Sequence, residues 1–172
     1  KYHSAVIKNW TSYAGVDVVT NENGEVIGGT LASYSNKDCI AEGYEIGTNG
    51  AVGKASVAEV NGVKYGSLAD AIKNATAGQT ITFLADITED VTINKSVTIN
   101  GAGKTYTGAM TLKADTTIKN VNFDGKGYNG YAVETRGANY LTIEDCTAKN
   151  YGYGFVQTAS GTALTTVKNV TV

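Results

Sequence analysis

The chain has 172 residues, of which 14 are basic and 16 acidic, and its formal net charge is −2. This balance argues against a nucleic-acid-binding protein, which would carry concentrated positive charge, and no apolar run is long enough for membrane insertion. Proline is absent, whereas Gly occurs 21 times and Tyr 11 times. Because Tyr and Thr favour strands, and Gly and Asn tolerate the positive φ of tight corners, this composition predicts a β-rich, turn-rich protein.

Residues 1–35 contain strand-like pieces and form the first predicted segment. The piece at 2–7 (YHSAVI) has a Tyr-containing corner followed by a short apolar strand. The same order recurs at 128–133 (YNGYAV) and at 151–156 (YGYGFV). We therefore expect this β segment to resemble a late coil of a β-helix, although it precedes the β-helix in sequence.

Residues 36–66 are predicted to be a mixed linker with two hairpins. The first hairpin is expected around 47–50 (GTNG). The second is expected at Asn61-Gly62, because this dipeptide is the strongest short signal for a two-residue hairpin turn.

The stretch from Ser67 to Ala75 is predicted to be a helix. Ser67 is a good N-cap residue, and Asp70, three residues later, completes a capping box. Apolar residues recur at i, i+3, i+4 and i+7 and so form one stripe, made of Leu68, Ala71, Ile72 and Ala75. The helix directly precedes the first predicted coil, so we expect it to cover the strand edges at that end of a solenoid.

A repeat of about two dozen residues covers the rest of the chain. Blocks that begin at Val97, Val121, Cys146 and Val170 differ by 24 (121−97), 25 (146−121) and 24 (170−146) residues. Alternating apolar and polar residues within the blocks indicate strands with one wet face. A single coil of this length cannot bury its apolar face, but stacked coils can. Residues 67–172 are therefore predicted to form a capping helix and a right-handed parallel β-helix.

The same register predicts which residues lie in the core. They are Ile93, Val97, Ile99, Ile118, Val121, Phe123, Ile143, Cys146, Val167 and Val170. Cys146 occupies a core position and is interpreted as a small buried hydrophobe, while a disulfide with Cys39 stays open. The spacing of the two cysteines does not resemble a metal site, and we expect neither a metal nor a cofactor.

Two motifs stand in order within residues 57–108, namely Tyr65-x-Ser67-Leu68-x-x-Ala71-Ile72 and Gly78-x-Thr80-Ile81-x-Phe83-Leu84. With the coils that follow, they resemble the N-terminal cap of pectin-lyase-like, right-handed parallel β-helix regions in bacterial cell-surface proteins. A separate segment, Ile27-Gly-Gly-Thr and Ala41-Glu-Gly-Tyr44, resembles the part that closes one such helix before the next begins. The resemblance implies a secreted or wall-attached modular protein. It leaves the activity open, because such regions occur both in polysaccharide-cleaving enzymes and in adhesins or stalks.

Several tyrosines gather at the predicted corners. Stacking of the coils would place Tyr106, Tyr128 and Tyr151 near one edge, with Tyr131 and Tyr153 at the same corners. Aromatic faces beside polar groups can bind sugars. These five tyrosines and Arg136 are therefore the candidate carbohydrate-binding residues. The alternative is that the tyrosines stack on one another and only stabilise the corners.

Catalysis has less support in the sequence. A polysaccharide lyase on this fold would use clustered carboxylates for Ca²⁺ and an Arg or Lys base. Arg136 is the only arginine, and the acidic residues Asp124, Glu134, Glu144 and Asp145 lie within one coil of it. Asp124, Glu144 and Asp145 align with ordinary solvated positions of the repeat, so no catalytic residue is predicted.

Together these features predict a structural or adhesive module of an extracellular, secreted or cell-surface protein, not an enzyme. The coil at 170–172 is open, and residues 2–7 resemble the piece that should follow it. We therefore expect either head-to-tail self-association into a filament or continuation within a longer polypeptide. A glycan or a host-surface ligand is the other expected partner. A carbohydrate-binding module is the alternative function, and a polysaccharide lyase is the least favoured one.

Overall fold

The computed structural model describes residues 17–23, 25–30, 40–46, 51–159 and 164–172. The chain forms two compact units, residues 1–55 and residues 56–172, and each is described by itself. The unit boundary falls inside the segment that we expected to be a linker. The predicted strand piece at 2–7, the turn at 47–50 and Cys39 lie outside the described residues.

The first unit contains two antiparallel strand pairs, β1 with β2 and β3 with β4. The strands are β1 Asp17–Thr20, β2 Val26–Thr30, β3 Tyr44–Ile46 and β4 Val52–Lys54. After β1, the side-chain oxygen of Asn21 accepts hydrogen bonds from the backbone N–H groups of Asn23 and Glu25, both at 3.0 Å. Such bonds let an Asn side chain fix a tight turn. Buried Val26 and Val52 form the small core of the unit.

The second unit contains the remaining elements. In chain order they are β5 Ala58–Val60, β6 Val63–Tyr65, α1 Leu68–Asn74, β7 Thr80–Phe83, β8 Ile87–Thr88, β9 Val91–Ile93, β10 Val97–Asn100, β11 Thr105–Thr107, β12 Met110–Leu112, β13 Thr116–Lys119, β14 Asn122–Tyr128, β15 Tyr131–Thr135, β16 Tyr140–Glu144, β17 Thr147–Tyr151, β18 Gly154–Gln157 and β19 Leu164–Lys168.

Three mainly parallel sheets wind these strands into a β-solenoid of about three turns, which confirms the predicted fold class. Sheet 1 has the order β19-β16-β13-β10-β7-β5-β6, sheet 2 the order β17-β14-β11-β8 and sheet 3 the order β18-β15-β12-β9. Each layer of the solenoid contributes one strand to each sheet. Layer 1 is β7 to β9, layer 2 is β10 to β12, layer 3 is β13 to β15 and layer 4 is β16 to β18. The right hand of the winding stays a prediction, based on the general preference of parallel connections.

The start of the solenoid is covered by a hairpin and a helix. β5 and β6 pair antiparallel, and β5 also pairs antiparallel with β7. Asn61 and Gly62 both have positive φ, 49° and 81°, so the predicted hairpin turn is confirmed. Because β5 and β6 extend sheet 1 beyond layer 1, the edge of β7 is not left open.

Helix α1 has the predicted N-terminal cap. The amide of Asp70 donates to the Ser67 hydroxyl at 3.1 Å, and that hydroxyl donates to the Asp70 carboxylate at 2.8 Å. Leu68, Ala71 and Ile72 are buried, as their stripe predicted. The helix is thereby fixed with its apolar face on layer 1.

Two charged side chains form hydrogen bonds with the backbone groups at the ends of α1. The Glu89 carboxylate accepts from the amides of Leu68 and Ala69, at 2.9 and 3.2 Å. The Lys95 ammonium donates to the carbonyls of Ile72, Lys73 and Ala75, at 3.3, 2.7 and 2.7 Å. The helix dipole favours a negative charge near the N-terminus of a helix and a positive charge near its C-terminus, which is the arrangement found here. The sequence predicted the helix but not these two partners.

The observed register corrects the predicted repeat. Ile81, Ile99, Ile118, Ile143 and Val167 stack in one column of sheet 1. The steps along this column are 18 (99−81), 19 (118−99), 25 (143−118) and 24 (167−143) residues. The predicted period is therefore right for the later layers and wrong for the earlier ones.

The largest part of the early mismatch comes from the corner between sheets 2 and 3. Tyr106 pairs with Phe123, and Met110 pairs with Val133. Layer 2 thus crosses this corner in 4 residues (110−106), whereas layer 3 takes 10 (133−123). The block at Val97 consequently pairs with Thr116, not with the block at Val121 as predicted.

A continuous core runs through the layers. Of the predicted core residues, eight are buried, namely Ile93, Val97, Ile99, Ile118, Val121, Phe123, Ile143 and Cys146. Cys146 has a free thiol, and burial raises its pKa. Val170 is only partly buried, and the prediction for Val167 was wrong, because its side chain is 54% exposed. Val167 lies on β19, which among the described strands pairs with β16 alone.

The sharp corner between sheets 1 and 2 repeats the same backbone conformation. Asn120, Asp145 and Asn169 follow β13, β16 and β19, and their φ values are 55°, 53° and 51°. Asn and Asp tolerate this left-handed conformation better than other non-glycine residues. The Asn169 amide donates to the Asp145 carboxylate at 2.9 Å, which links neighbouring layers along the corner.

Candidate functional site

Four of the candidate tyrosines come together at the long corner between sheets 2 and 3. We call Tyr128, Tyr131, Tyr151 and Tyr153 the aromatic patch. The rings of Tyr128 and Tyr151 are 6.2 Å apart between centroids, and those of Tyr131 and Tyr153 are 5.7 Å apart. Both pairs meet edge to face, an arrangement that aromatic rings prefer. Each pair joins layer 3 to layer 4.

The patch combines exposed rings with anchored ones. Tyr153 is 63% exposed and Tyr128 is 38% exposed. Tyr151 is partly buried, and its hydroxyl donates to the Gly108 carbonyl at 2.9 Å. Burial raises the pKa of Tyr151 to about 12, so this hydroxyl is a hydrogen-bond donor over the whole neutral range. The patch can therefore offer ring faces to a ligand on a fixed support.

Tyr106 does not belong to this patch. It is fully buried in the core, where its ring contacts Phe83 and Phe123 at centroid distances of 6.1 and 5.7 Å. Its hydroxyl donates to the carbonyls of Glu89 and Ala109, and burial raises its pKa strongly. Tyr106 pairs in register with Ile87 and Phe123, which are both buried, so the centre of β11 faces inward. Tyr106 is thus corrected from a surface candidate to a core residue.

Arg136 lies at the end of β15 and forms an ion pair with Glu134. The nitrogen–oxygen distance is 2.9 Å, and the Arg136 side chain is 55% exposed. Among the described residues, Arg136 makes no hydrogen bond or ring contact with the aromatic patch. The structure therefore gives no geometric link between Arg136 and the tyrosines with which the sequence grouped it.

Polar groups lie on the strands that enter the patch. Asp124 pairs with Lys149 at 3.3 Å and accepts from the Asn150 amide at 2.8 Å. These contacts follow from the register, because Asp124 and Lys149 are directly paired residues of β14 and β17. The Asn150 amide, the backbone N–H of Lys126 and the Lys149 ammonium hold the pKa of Asp124 below its usual range. The carboxylate is therefore charged and already well supplied with donors.

Sequence reasoning missed a second surface feature, on the outer face of sheet 1. Thr98, Thr117 and Thr142 pair in register on β10, β13 and β16. They line a groove of about 230 Å³ together with Ser96, Asp115 and Tyr140. We call this the threonine groove. The Thr-Ile pairs at 117–118 and 142–143 indicated part of this groove in the sequence. Thr98 was missed because the predicted register of the early layers was wrong.

Within the described residues, the side chains of His, Cys, Asp and Glu form no group of three or more that could hold a metal ion. In the same part of the chain, no helix is both long and apolar enough to cross a membrane.

No family model matches this chain, and no match was found among curated proteins or solved structures.

Proposed function

We propose that this chain is a structural or adhesive module of an extracellular, secreted or cell-surface protein, and that it self-associates head to tail. The resemblance of residues 57–108 to pectin-lyase-like regions of bacterial surface proteins supports the location. The observation that carries the proposal is the contrast between the two ends of the solenoid. Among the described residues, one end is covered by α1 and the β5–β6 hairpin, whereas at the other end β19 pairs on one side only, with β16.

The covered end makes the solenoid directional. β5 and β6 extend sheet 1, and α1 packs its apolar face on layer 1. Glu89 and Lys95 fix the two ends of that helix. A stack with one closed end can add further layers only at the other end, as repeat proteins with capping elements do.

The other end has the features of a docking edge. Among the described strands β19 pairs with β16 alone, Val167 is 54% exposed, and Val172 is 82% exposed. Nearby, a cavity of about 300 Å³ is lined by residues that include Ala148, Tyr151 and Phe155. An edge with free N–H and C=O groups is a template for another strand. A head-to-tail contact on it generates open filaments unless its rotation closes a ring.

The test is the oligomeric state of the isolated chain as a function of concentration. We expect filaments in electron micrographs, with an axial repeat of one subunit, and their loss when residues 1–35 are deleted. Val167→Lys should also abolish them, because a charge on an exposed edge opposes pairing. Thr92→Lys, at an exposed site on sheet 3, is the matched control and should leave them intact. A monodisperse monomer at high concentration for all four proteins would contradict the proposed association.

The second candidate function is glycan binding at the aromatic patch. It is favoured by one observation, the exposed rings of Tyr128 and Tyr153 at a corner that follows the strands carrying the charged pair of Asp124 and Lys149. A glycan array would test it, with Tyr153→Ala as the variant that should lose signal. We expect no polysaccharide lyase activity. Formation of unsaturated uronate products that disappears with Arg136→Ala would overturn that expectation.

A further inference from the structure

The threonine groove presents a regular row of hydroxyl groups. Thr98, Thr117 and Thr142 occupy one column of sheet 1, so their spacing is that of neighbouring strands, about 4.8 Å. All three side chains are partly exposed on the outer face. The structure gives their hydroxyls no hydrogen bond to any other described residue. Each hydroxyl is therefore available as both donor and acceptor.

One wall of the groove is an aromatic ring. Tyr140 begins β16 and is 58% exposed, yet its backbone is held in place. The amides of Asn139 and Tyr140 both donate to one oxygen of the Asp115 carboxylate, Oδ1, at 2.8 and 3.0 Å. The second oxygen, Oδ2, makes no hydrogen bond within the described part of the chain. Tyr140 thus offers a ring face, and Asp115 a free acceptor, side by side along one edge of the hydroxyl row.

We propose that the threonine groove binds an extended, neutral polysaccharide whose chain runs along the solenoid axis. A flat ring packs against the C–H face of a pyranose, while polar neighbours reach its hydroxyls, which is the combination expected of a sugar site. Successive sugars of an extended chain repeat at a distance close to the strand spacing, so each can meet one threonine.

The charge of the groove selects against acidic glycans. Asp115 is the only charged residue among those that line it. A uronate carboxylate near Asp115 would meet a like charge in a site without a cation to offset it. The proposal is independent of head-to-tail association, because none of the residues that line the groove belongs to β19.

The test is calorimetric titration of the full chain with cellohexaose, xylohexaose, chitohexaose and hexagalacturonate. We expect at least one neutral hexasaccharide to bind and hexagalacturonate not to bind. Tyr140→Ala should weaken binding at least about tenfold, through loss of the ring face. Thr117→Val, which keeps the shape and removes one hydroxyl, should weaken it about two- to tenfold.

A matched control separates this groove from the rest of the surface. Thr111→Val removes a hydroxyl from the outer face of sheet 3. It should bind like the parent, and thermal melts should show all three variants folded. The proposal is overturned if no neutral hexasaccharide binds at about millimolar concentration. It is equally overturned if Tyr140→Ala and Thr117→Val bind like the parent, or if Thr111→Val weakens binding as much as Thr117→Val.

Discussion

At the scale of single residues, the helix ends show how two side chains can decide the stability of a short element. A helix of 7 residues is too short to form alone in water, so its end groups need partners from elsewhere. Lys95 supplies three hydrogen bonds to carbonyls at one end. Glu89 supplies two acceptors at the other end.

We predict that Lys95→Ala lowers the free energy of unfolding by about 1–3 kcal/mol, because three carbonyls lose a charged donor. Lys113→Ala is the control, since Lys113 is an exposed lysine whose side chain makes no hydrogen bond to a described residue. Its effect should stay within about 0.5 kcal/mol. Urea denaturation of both variants measures the difference. Equal stability of the two would mean that Lys95 does not hold the helix.

A second prediction at this scale concerns alkaline pH. The pKa of Tyr151 is about 12 in the folded chain, above its ordinary value of 10.0. A raised pKa contributes stability that is fully present below pH 10 and is lost as the pH rises toward 12. Tyr151→Phe should cost about 1 kcal/mol at neutral pH, through the lost bond to Gly108.

Between pH 10 and pH 12, however, the stability of Tyr151→Phe should fall less steeply than that of the parent chain. Denaturation measured across this range tests the slope. Tyr106 is present in both proteins, so the comparison measures the effect of removing the Tyr151 hydroxyl, including its electrostatic effect on the pKa of Tyr106. Parallel slopes would contradict the assignment of this pH dependence to Tyr151.

At the scale of elements, the corner between sheets 1 and 2 is closely packed. Val121 is fully buried directly after Asn120, at the corner between β13 and β14. A side-chain carbon placed on Gly101 would come within 2.4 Å of the Asn120 carbonyl oxygen. The glycine is therefore required by the close approach of layer 3 to layer 2. Such corners leave no room to accommodate a polar change.

We predict that Val121→Asp unfolds the solenoid or destabilises it by several kcal/mol, because the charge would have no partner in the core. Thr92→Asp places the same charge on the exposed face of sheet 3 and should change stability by about 0.5 kcal/mol or less. Circular dichroism melts distinguish the two variants. A Val121→Asp protein that melts like the parent would show that the register is wrong at this corner.

At the scale of the whole molecule, the sequence predicted the architecture better than the register. Alternating patterns such as those of β10 and β13 report which face is buried, so most core residues could be named. These patterns do not show how many residues form the corner between two strands. Because the first corners are short, Tyr106 was assigned to the surface although it lies in the core.

Whether a candidate site could be predicted from the sequence also depended on the lengths of the corners. The aromatic patch could be predicted because layers 3 and 4 do follow the predicted period, which places Tyr128 beside Tyr151. The threonine groove could not, since it requires Thr98 to be aligned with Thr117, across a shorter step than the later layers use. Glu89 and Lys95 were missed for another reason. Their partners lie about 20 residues away, and no local pattern encodes that contact.

The unequal corner has a consequence for engineering. Layers 2 and 3 pair in register on both flanks of the corner between sheets 2 and 3, although one layer crosses it in 4 residues and the other in 10. The solenoid thus absorbs a six-residue difference in loop length without shifting a strand. Lys126 and Gly127 are exposed where the pairing of β14 with β17 shifts register, between Asp124 and Tyr128, and they mark a natural insertion point. A foreign peptide grafted there would be displayed on a scaffold whose hydrogen-bonded layers need not change.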